Sequence, residues 1–282
     1  MSHAGSLWAR LVRGTRWTWF ADRYRPALPA DFAATVMTLK TDDRFHAKQG
    51  RSTARVRFHS PAGTLSVYLK RHYRLPWPAR VAALVNPSGQ HTPASAEWAH
   101  LEQARSLGLP VPETVAAGEW IGPWGALQSF LMVAELAGCE ALNEVLPGLS
   151  LQLPAGQFAR LKRTLAVEMA AITATLHGAG YFHKDLYLCH FFLDMSALDR
   201  PGRKLSLIDL HRLGCHPWMT MRWRWKDLGQ LLYSTLAVPQ IDDRDRLRFW
   251  THYRRLVSPR LPAWQARMIR LKAAQYRKHN KV

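Results

Sequence analysis

Two carboxylates stand in apolar surroundings late in the chain. Asp185 lies in His183-Lys184-Asp185-Leu186-Tyr187-Leu188-Cys189-His190-Phe191-Phe192-Leu193, and Asp209 lies in Leu207-Ile208-Asp209-Leu210. An apolar run rarely keeps an unpartnered acid, because an isolated charge is costly to bury. The two are 24 residues apart, enough for the chain to leave a loop, form a hairpin and return, so both acids are expected at one cleft. Cys189, His190, Cys215 and His216 are a rival grouping, but their spacing matches no zinc pattern.

The elements that must position these groups follow from periodicity. Ala54-Arg55-Val56-Arg57-Phe58 and Leu65-Ser66-Val67-Tyr68-Leu69 alternate as strands around a turn at Ser60-Pro61-Ala62-Gly63, a hairpin that Lys70 closes. After a proline-punctuated loop (Pro76, Pro78, Pro87, Pro93), helical spacing runs from Ser95 to Leu107, carries Glu97 and stops at Gly108. Segments 111–116 and 126–133 read as further strands, 161–176 as a strong helix and 205–208 as a short strand. Lys226-Asp227-Leu228-Gly229 opens an apolar helix, where Asp227 is open to reading as a plain cap. Taken alone, Lys70 reads as a solvated strand end and Glu97 as a solvated helix residue. The organisation expected is a basic segment over 1–30, a small β-rich lobe over 31–134 and a larger helical lobe over 135–282.

The order of these residues resembles the protein-kinase pattern His-Arg-Asp-x-x-x-x-Asn followed by a metal-binding Asp, with Lys184 in place of Arg and His190 in place of Asn. That resemblance implies an α+β, two-lobed protein-kinase-like fold using ATP and Mg2+. It implies that Lys70 grips the α and β phosphates with Glu97 holding it extended, and that Ala134 is the gatekeeper. The linker at Glu135 and Leu136 would offer its backbone to adenine. Asp185 would orient the acceptor hydroxyl, Asp209 and His190 would occupy the metal positions, and Asp227 would accept hydrogen bonds from the catalytic-loop backbone. Magnesium prefers oxygen ligands, so His190 is expected to hydrogen-bond rather than coordinate. A full G-x-G-x-x-G is absent; only Gly50 is available, so the phosphates would rely on backbone donors and on Ser52 or Thr53.

The segment His-Lys-Asp-Leu-Tyr-Leu-Cys-His-Phe-Phe-Leu, with Lys-Gln-Gly-Arg-Ser-Thr-Ala-Arg-Val and Lys-Asp-Leu-Gly-Gln-Leu-Leu-Tyr-Ser, resembles the bacterial lipopolysaccharide core kinases over residues 44 to 235. These phosphorylate heptose or Kdo sugars at the inner membrane, which implies a lipopolysaccharide core sugar as acceptor. Asp209-Leu210-His211 lacks the glycine of D-F-G, no A-P-E follows, and only 18 positions separate Asp209 from Asp227. A peptide-docking activation segment does not fit there. The alternatives are a kinase of small hydroxylated molecules of the aminoglycoside type, and a non-catalytic kinase-like scaffold that binds anionic polymers.

Composition agrees with an anionic partner. The 282 residues carry 39 Lys and Arg against 20 Asp and Glu, a formal charge of +19, and 48% are hydrophobic, which excludes a disordered chain. Charge alone fits nucleic acid, anionic lipid or an anionic substrate equally; the resemblance to the core kinases implies an anionic membrane surface and an anionic sugar rather than nucleic acid. The opening Trp8, Arg10, Arg13, Arg16, Trp17, Trp19 and Arg23 suits a membrane-surface helix or an amphipathic helix packed on the domain. Three cysteines without a CxxC fit a reducing cytoplasm. No run is apolar enough to span a bilayer and the opening reads as no signal peptide, so a protein that is soluble or lies on a membrane is expected, and the resemblance to the core kinases implies a cytoplasmic protein peripheral to the inner face of the inner membrane.

Overall fold

The computed structural model describes residues 15–41, 44–48, 50–61, 63–74, 92–121, 127–200, 202–258, 262 and 264–279. Trp8, Arg10, Arg13 and Pro76, Pro78 and Pro87 lie outside them. The chain divides into two compact units, Met1–Glu102 with Pro112–Glu135, and Gln103–Val111 with Leu136–Val282.

The smaller unit is built on strands β1 (Thr15–Phe20), β2 (Arg44–Lys48), β3 (Arg51–Ser60), β4 (Gly63–His72), β5 (Thr114–Ile121) and β6 (Leu127–Ala134), with the single turn α1 (Phe32–Thr35) and helix α2 (Pro93–Ser106). Among the described residues they pair, all antiparallel, in the order β1-β5-β6-β4-β3-β2. One face is apolar because period-two alternation puts Val67 and Leu69 with Phe58, Val115, Phe130 and Met132, and α1 adds Phe32 and Val36 to that core. Phe32 meets Phe58 and Phe130 edge-on at 5.6 and 5.7 Å. Gly118 is required where β5 crosses Phe130, since a Cβ there would overlap the ring.

The surface helix considered for the basic opening is not what Thr15–Phe20 forms. It is a strand paired with β5, and Trp17 and Trp19, on one face of it, pack against Trp98 of α2 at 5.0 and 5.5 Å. The hairpin is as expected, but β4 runs past Lys70 to His72. The third expected strand, 111–116, lies further on as β5.

The larger unit contains β7 (Cys139–Ala141), α3 (Leu142–Gln152), α4 (Ala155–Gly178), β8 (Tyr181–Phe182), β9 (Phe191–Asp194), β10 (Leu205–Leu207), β11 (Gly214–Cys215), α5 (Thr220–Leu236), α6 (Asp243–Val257) and α7 (Trp264–His279). Helix α4 buries Leu161, Leu165, Met169, Ile172 and Leu176, the stripe expected for 161–176, and begins earlier, directly after Pro154. Its end passes into β8 through Gly180 at φ +76°, a left-handed turn that glycine allows without strain. Ala170 and Ala174 of α4 share a core with Leu228, Tyr253 and Ile269 of α5, α6 and α7. Gly229 lets α5 and α7 close together: a Cβ there would come 2.7 Å from that of Lys272.

Candidate active site

In the smaller unit, Thr92 and Ser95 cap α2 reciprocally, each hydroxyl accepting from the other's backbone N–H at 3.1 and 3.2 Å. That fixes the first turn, from which Glu97 projects, buried, to meet Lys70 Nζ at 2.6 Å. Lys70 is held in register between Thr53 of β3 and Leu131 of β6. A buried carboxylate with its lysine ion-paired is a fixed ammonium rather than the solvated strand end that Lys70 resembles in isolation.

Gly50 makes the β2–β3 turn at φ +75°, its carbonyl accepting from Tyr73 N–H at 2.8 Å. Ser52 departs from expectation. It is buried, and its hydroxyl bonds Arg71 Nε and the Tyr73 hydroxyl, both at 3.2 Å, so the phosphate role expected of it is taken by structure. Arg71 shares the core-facing side of β4 with Val67 and Leu69, and its guanidinium reaches the carbonyls of Val36 at 3.2 Å and Leu39 at 2.6 Å. On the other side of β4, burial together with the charges of Arg51 and Lys70 pushes the His72 pKa down to about 4.

Glu135 ends this unit with its side chain committed: Arg55 Nη2 lies 2.9 Å from its carboxylate, and its own N–H donates to Ser66 O at 3.0 Å. The Leu136 carbonyl accepts from Cys139 N–H at 3.1 Å, closing a turn around Gly138 at φ +70°. What this segment can still offer an adenine edge is backbone, not the Glu135 carboxylate.

In the larger unit, the segment from His183 to His190 is anchored from beneath by Asp227. This residue is not at a helix start; it lies in the body of α5, which begins at Thr220, and it is fully buried. Its two oxygens accept from His183 N–H and Lys184 N–H, both at 2.8 Å, so the plain-cap reading does not hold. His177 Nε2 approaches the same carboxylate at 3.3 Å, and its Nδ1 meets the Tyr253 hydroxyl at 2.8 Å. The carboxylate can only accept, so His177 carries its proton on Nε2, and Tyr253 donates to Nδ1. Burial keeps the His177 pKa low and the Tyr253 pKa high, so both stay neutral. His183 is buried as well, and its Nε2–H donates to Ile208 O at 3.0 Å, one residue before Asp209.

These bonds bring Asp185, His190 and Asp209 together. His190 Nδ1 donates to the Asp185 backbone carbonyl at 2.7 Å, while Nε2 faces Asp209 Oδ2 at 3.6 Å. Burial by itself lowers the His190 pKa, but Cys189, the Asp185 carbonyl and the Asp209 charge outweigh it and the net direction is up. Asp209 is also bonded by His211 Nδ1 at 2.6 Å. Lys184 and Asp209 are the non-glycine residues with left-handed backbone among those described, φ +67° and +63°, and both flank the site. Such positions persist only where surrounding bonds over-determine them, as Asp227 and His183 do here.

Sequence reasoning did not find two partners of Asp185. Arg212 Nη1 lies 3.1 and 2.9 Å from its two oxygens, and Gln230 Nε2 lies 3.4 Å from Oδ1 while donating to the Tyr187 hydroxyl at 3.0 Å. The spacing from Asp209 to Arg212 and from Asp227 to Gln230, three residues on each, is the signal that was present. Glu168 of α4, also missed, accepts from Lys204 N–H and Leu205 N–H at 2.9 Å and pins the start of β10.

The residues fit magnesium as a nucleotide-borne ion. No group of three His, Cys, Asp or Glu able to hold a metal occurs among the described residues, and magnesium characteristically takes one or two carboxylates with phosphate oxygens and water completing its shell. Asp209 supplies such an oxygen. His190, with Nδ1 spent on a carbonyl, stands against Asp209 rather than as an independent ligand.

Comparison with known proteins agrees with this arrangement. A solved structure described as WaaP in complex with acyl carrier protein matches with a TM-score of 0.68 and 26% identity, covering 94% of this chain and 100% of that one. The lipopolysaccharide core heptose(I) kinase WaaP of Pseudomonas aeruginosa is 32% identical over 193 residues, 67% of this chain and 69% of that protein. Its namesake in Escherichia coli is 31% identical over 162 residues, 57% of this chain and 59% of that protein. The α+β organisation with a sheet-rich front and a helical back is thus shared with that solved structure. Residues 44–253 match the model of the Lipopolysaccharide kinase (Kdo/WaaP) family, and with three quarters of its length inside that match, the chain belongs to this family of kinases.

Proposed function

We propose that this kinase transfers the γ-phosphoryl group of ATP to a heptose hydroxyl of the lipopolysaccharide inner core. The observation that carries the reading is Asp185 on a loop whose backbone is tied to buried Asp227, with Asp209 next to it through His190. Asp185 accepts the proton as the acceptor oxygen forms its bond to the γ-phosphorus and the bond from that phosphorus to the β-phosphate oxygen breaks, releasing ADP. Arg212 occupies Asp185 through one nitrogen only, so lone pairs remain for that proton. Magnesium, when bound with the nucleotide, would neutralise phosphate charge, and Asp209, with His190 beside it, would hold the ion. Lys70, kept extended by Glu97, is the ammonium for the α and β phosphates, and the backbone N–H groups of the turn at Gly50 and of Leu136 are the further nucleotide contacts of this reading.

Radiolabelled ATP and purified core glycolipid test this. Asp185→Asn keeps the hydrogen bonds of the loop but not the base and is expected to lower transfer by roughly 10²–10⁴-fold, with nucleotide binding retained. Undiminished transfer by that variant rejects the assignment.

A second reading concerns a partner. The similar solved structure is of a complex with acyl carrier protein, and here a cavity of about 710 Å³ inside the larger unit is lined by Leu146, Leu165, Met169, Leu231, Phe249 and Trp250. An acyl carrier protein delivering its acyl chain to this cavity is the partner that the cavity favours, since long apolar chains gain most from such a lining. Leu165→Trp, which narrows the cavity, is expected to lower retention of long-chain acyl carrier protein; equal retention by a variant that still folds argues against this partner.

A further inference from the structure

One cluster in the larger unit is left unused by this mechanism. Lys184 Nζ and Lys226 Nζ lie 5.1 and 5.5 Å from the centre of the Trp223 ring, and the Arg222 guanidinium lies 5.5 Å from it. His216 stacks on the same indole at 4.5 Å with the planes 17° apart. Lys184 and His216 both reach over Gly214, where a Cβ would overlap the lysine nitrogen, so the glycine makes room for the ammonium. Arg212 joins this group to Asp185 through its 2.9 Å bond.

The charges are unbalanced. Burial first, then Lys226 and Arg212, lower the Lys184 pKa; burial first, then Arg212, lower that of Lys226. Among the described residues, Lys184, Lys226 and Arg222 have no carboxylate at ion-pair distance. Trp223 Nε1 and His216 Nε2 are buried without a hydrogen-bond partner. Half-buried cations that repel one another next to unsatisfied ring nitrogens cost stability unless an anion enters among them.

We propose that Lys184 and Lys226, which lie against Trp223, form with Arg212 beside Asp185 an anion subsite for a carboxylate or phosphate group on the acceptor saccharide, next to the hydroxyl that is phosphorylated. This rests on the sugar-kinase reading above. The subsite explains why cations from three segments are gathered beside the loop that carries Asp185: an anionic substituent held there aims the neighbouring hydroxyl at Asp185.

The test is kinetic, with wild type, Lys226→Gln, Lys226→Arg and, as a control for the loss of one charge, Lys278→Gln. Lys226→Gln is expected to raise the acceptor KM roughly tenfold while the ATP KM stays level, with Lys226→Arg restoring it and Lys278→Gln behaving as wild type. The difference from wild type disappears on carboxyl-reduced acceptor if the anion is a carboxylate, and on dephosphorylated acceptor if it is a phosphate. A shift that persists on both neutralised acceptors, a shift in the ATP KM instead, or none at all overturns the subsite. Calorimetry with inorganic phosphate in the presence of saturating Mg-ADP separates this from the function itself. Phosphate binding lost in Lys226→Gln, in a protein whose wild type does not phosphorylate the core, leaves the subsite standing and removes the sugar-kinase reading. Phosphate binding retained in Lys226→Gln, with wild-type transfer intact, does the reverse.

Discussion

Single residues in this protein are set by what crowds them. His72 is held neutral by burial between Arg51 and Lys70, with its pKa pushed down to about 4. Below the ordinary histidine value of 6.5 the unfolded chain takes up a proton that the folded chain refuses until about pH 4. The imidazole's contribution to stability is therefore full above pH 6.5 and is lost as pH falls towards 4. Between pH 7 and pH 5 the wild type is expected to lose roughly 2 kcal/mol more than His72→Gln in denaturant titrations; parallel losses would show that His72 titrates normally. The two acids of the site were legible at this scale because carboxylates are unusual in apolar runs, whereas Lys70 and Glu97 were legible only through their order ahead of those acids. Ser52 was not, because its fate depends on Arg71. Strand parity already put Arg71 on the same face as Val67 and Leu69, but a guanidinium on a core face is rare enough to be passed over.

At the level of elements, α5 is the support of the loop that carries Asp185. Asp227→Ala leaves the N–H groups of His183 and Lys184 buried without acceptors, each costing about 1–3 kcal/mol. The expected result is a fall in melting temperature on the order of 10 °C, with Asp227→Asn, which keeps one acceptor, falling less. Equal melting of all three proteins would mean that the loop holds itself. The hairpin, α2, α4 and the helical back were readable from periodicity. The first strand was not, because β1 pairs with β5 about a hundred residues further on, so its local pattern of Trp and Arg suited a helix equally well. The start of α5 was misread for a related reason: Arg222, Trp223, Arg224 and Trp225 carry no clean apolar stripe, and the visible pattern begins only at Leu228.

For the molecule as a whole, the charge of +19 needs an anionic counterpart. No helix among the described residues is long and apolar enough to cross a membrane. Trp218 is 95% exposed and Met219 and Met221 are exposed with it, immediately before and at the start of α5, close in sequence to the cations around Trp223. Indole and basic side chains together suit a headgroup layer, each cation near it adding about 1 kcal/mol. Co-sedimentation with vesicles containing anionic lipid is expected at low salt, weakened by Trp218→Ala and by raised ionic strength, and absent with neutral vesicles. Salt-insensitive binding to both would point to apolar insertion alone.

The buried chain from Tyr253 through His177 and Asp227 to the backbone of Lys184 threads α6, α4 and α5 into one hydrogen-bonded line that ends at the loop carrying Asp185. Tyr253, His177 and Asp227 are all buried, so dissolved ions do not screen the links between them. The shape of that loop is thereby insulated from salt, whereas the exposed cations beside it, Arg212 and Arg222, are not.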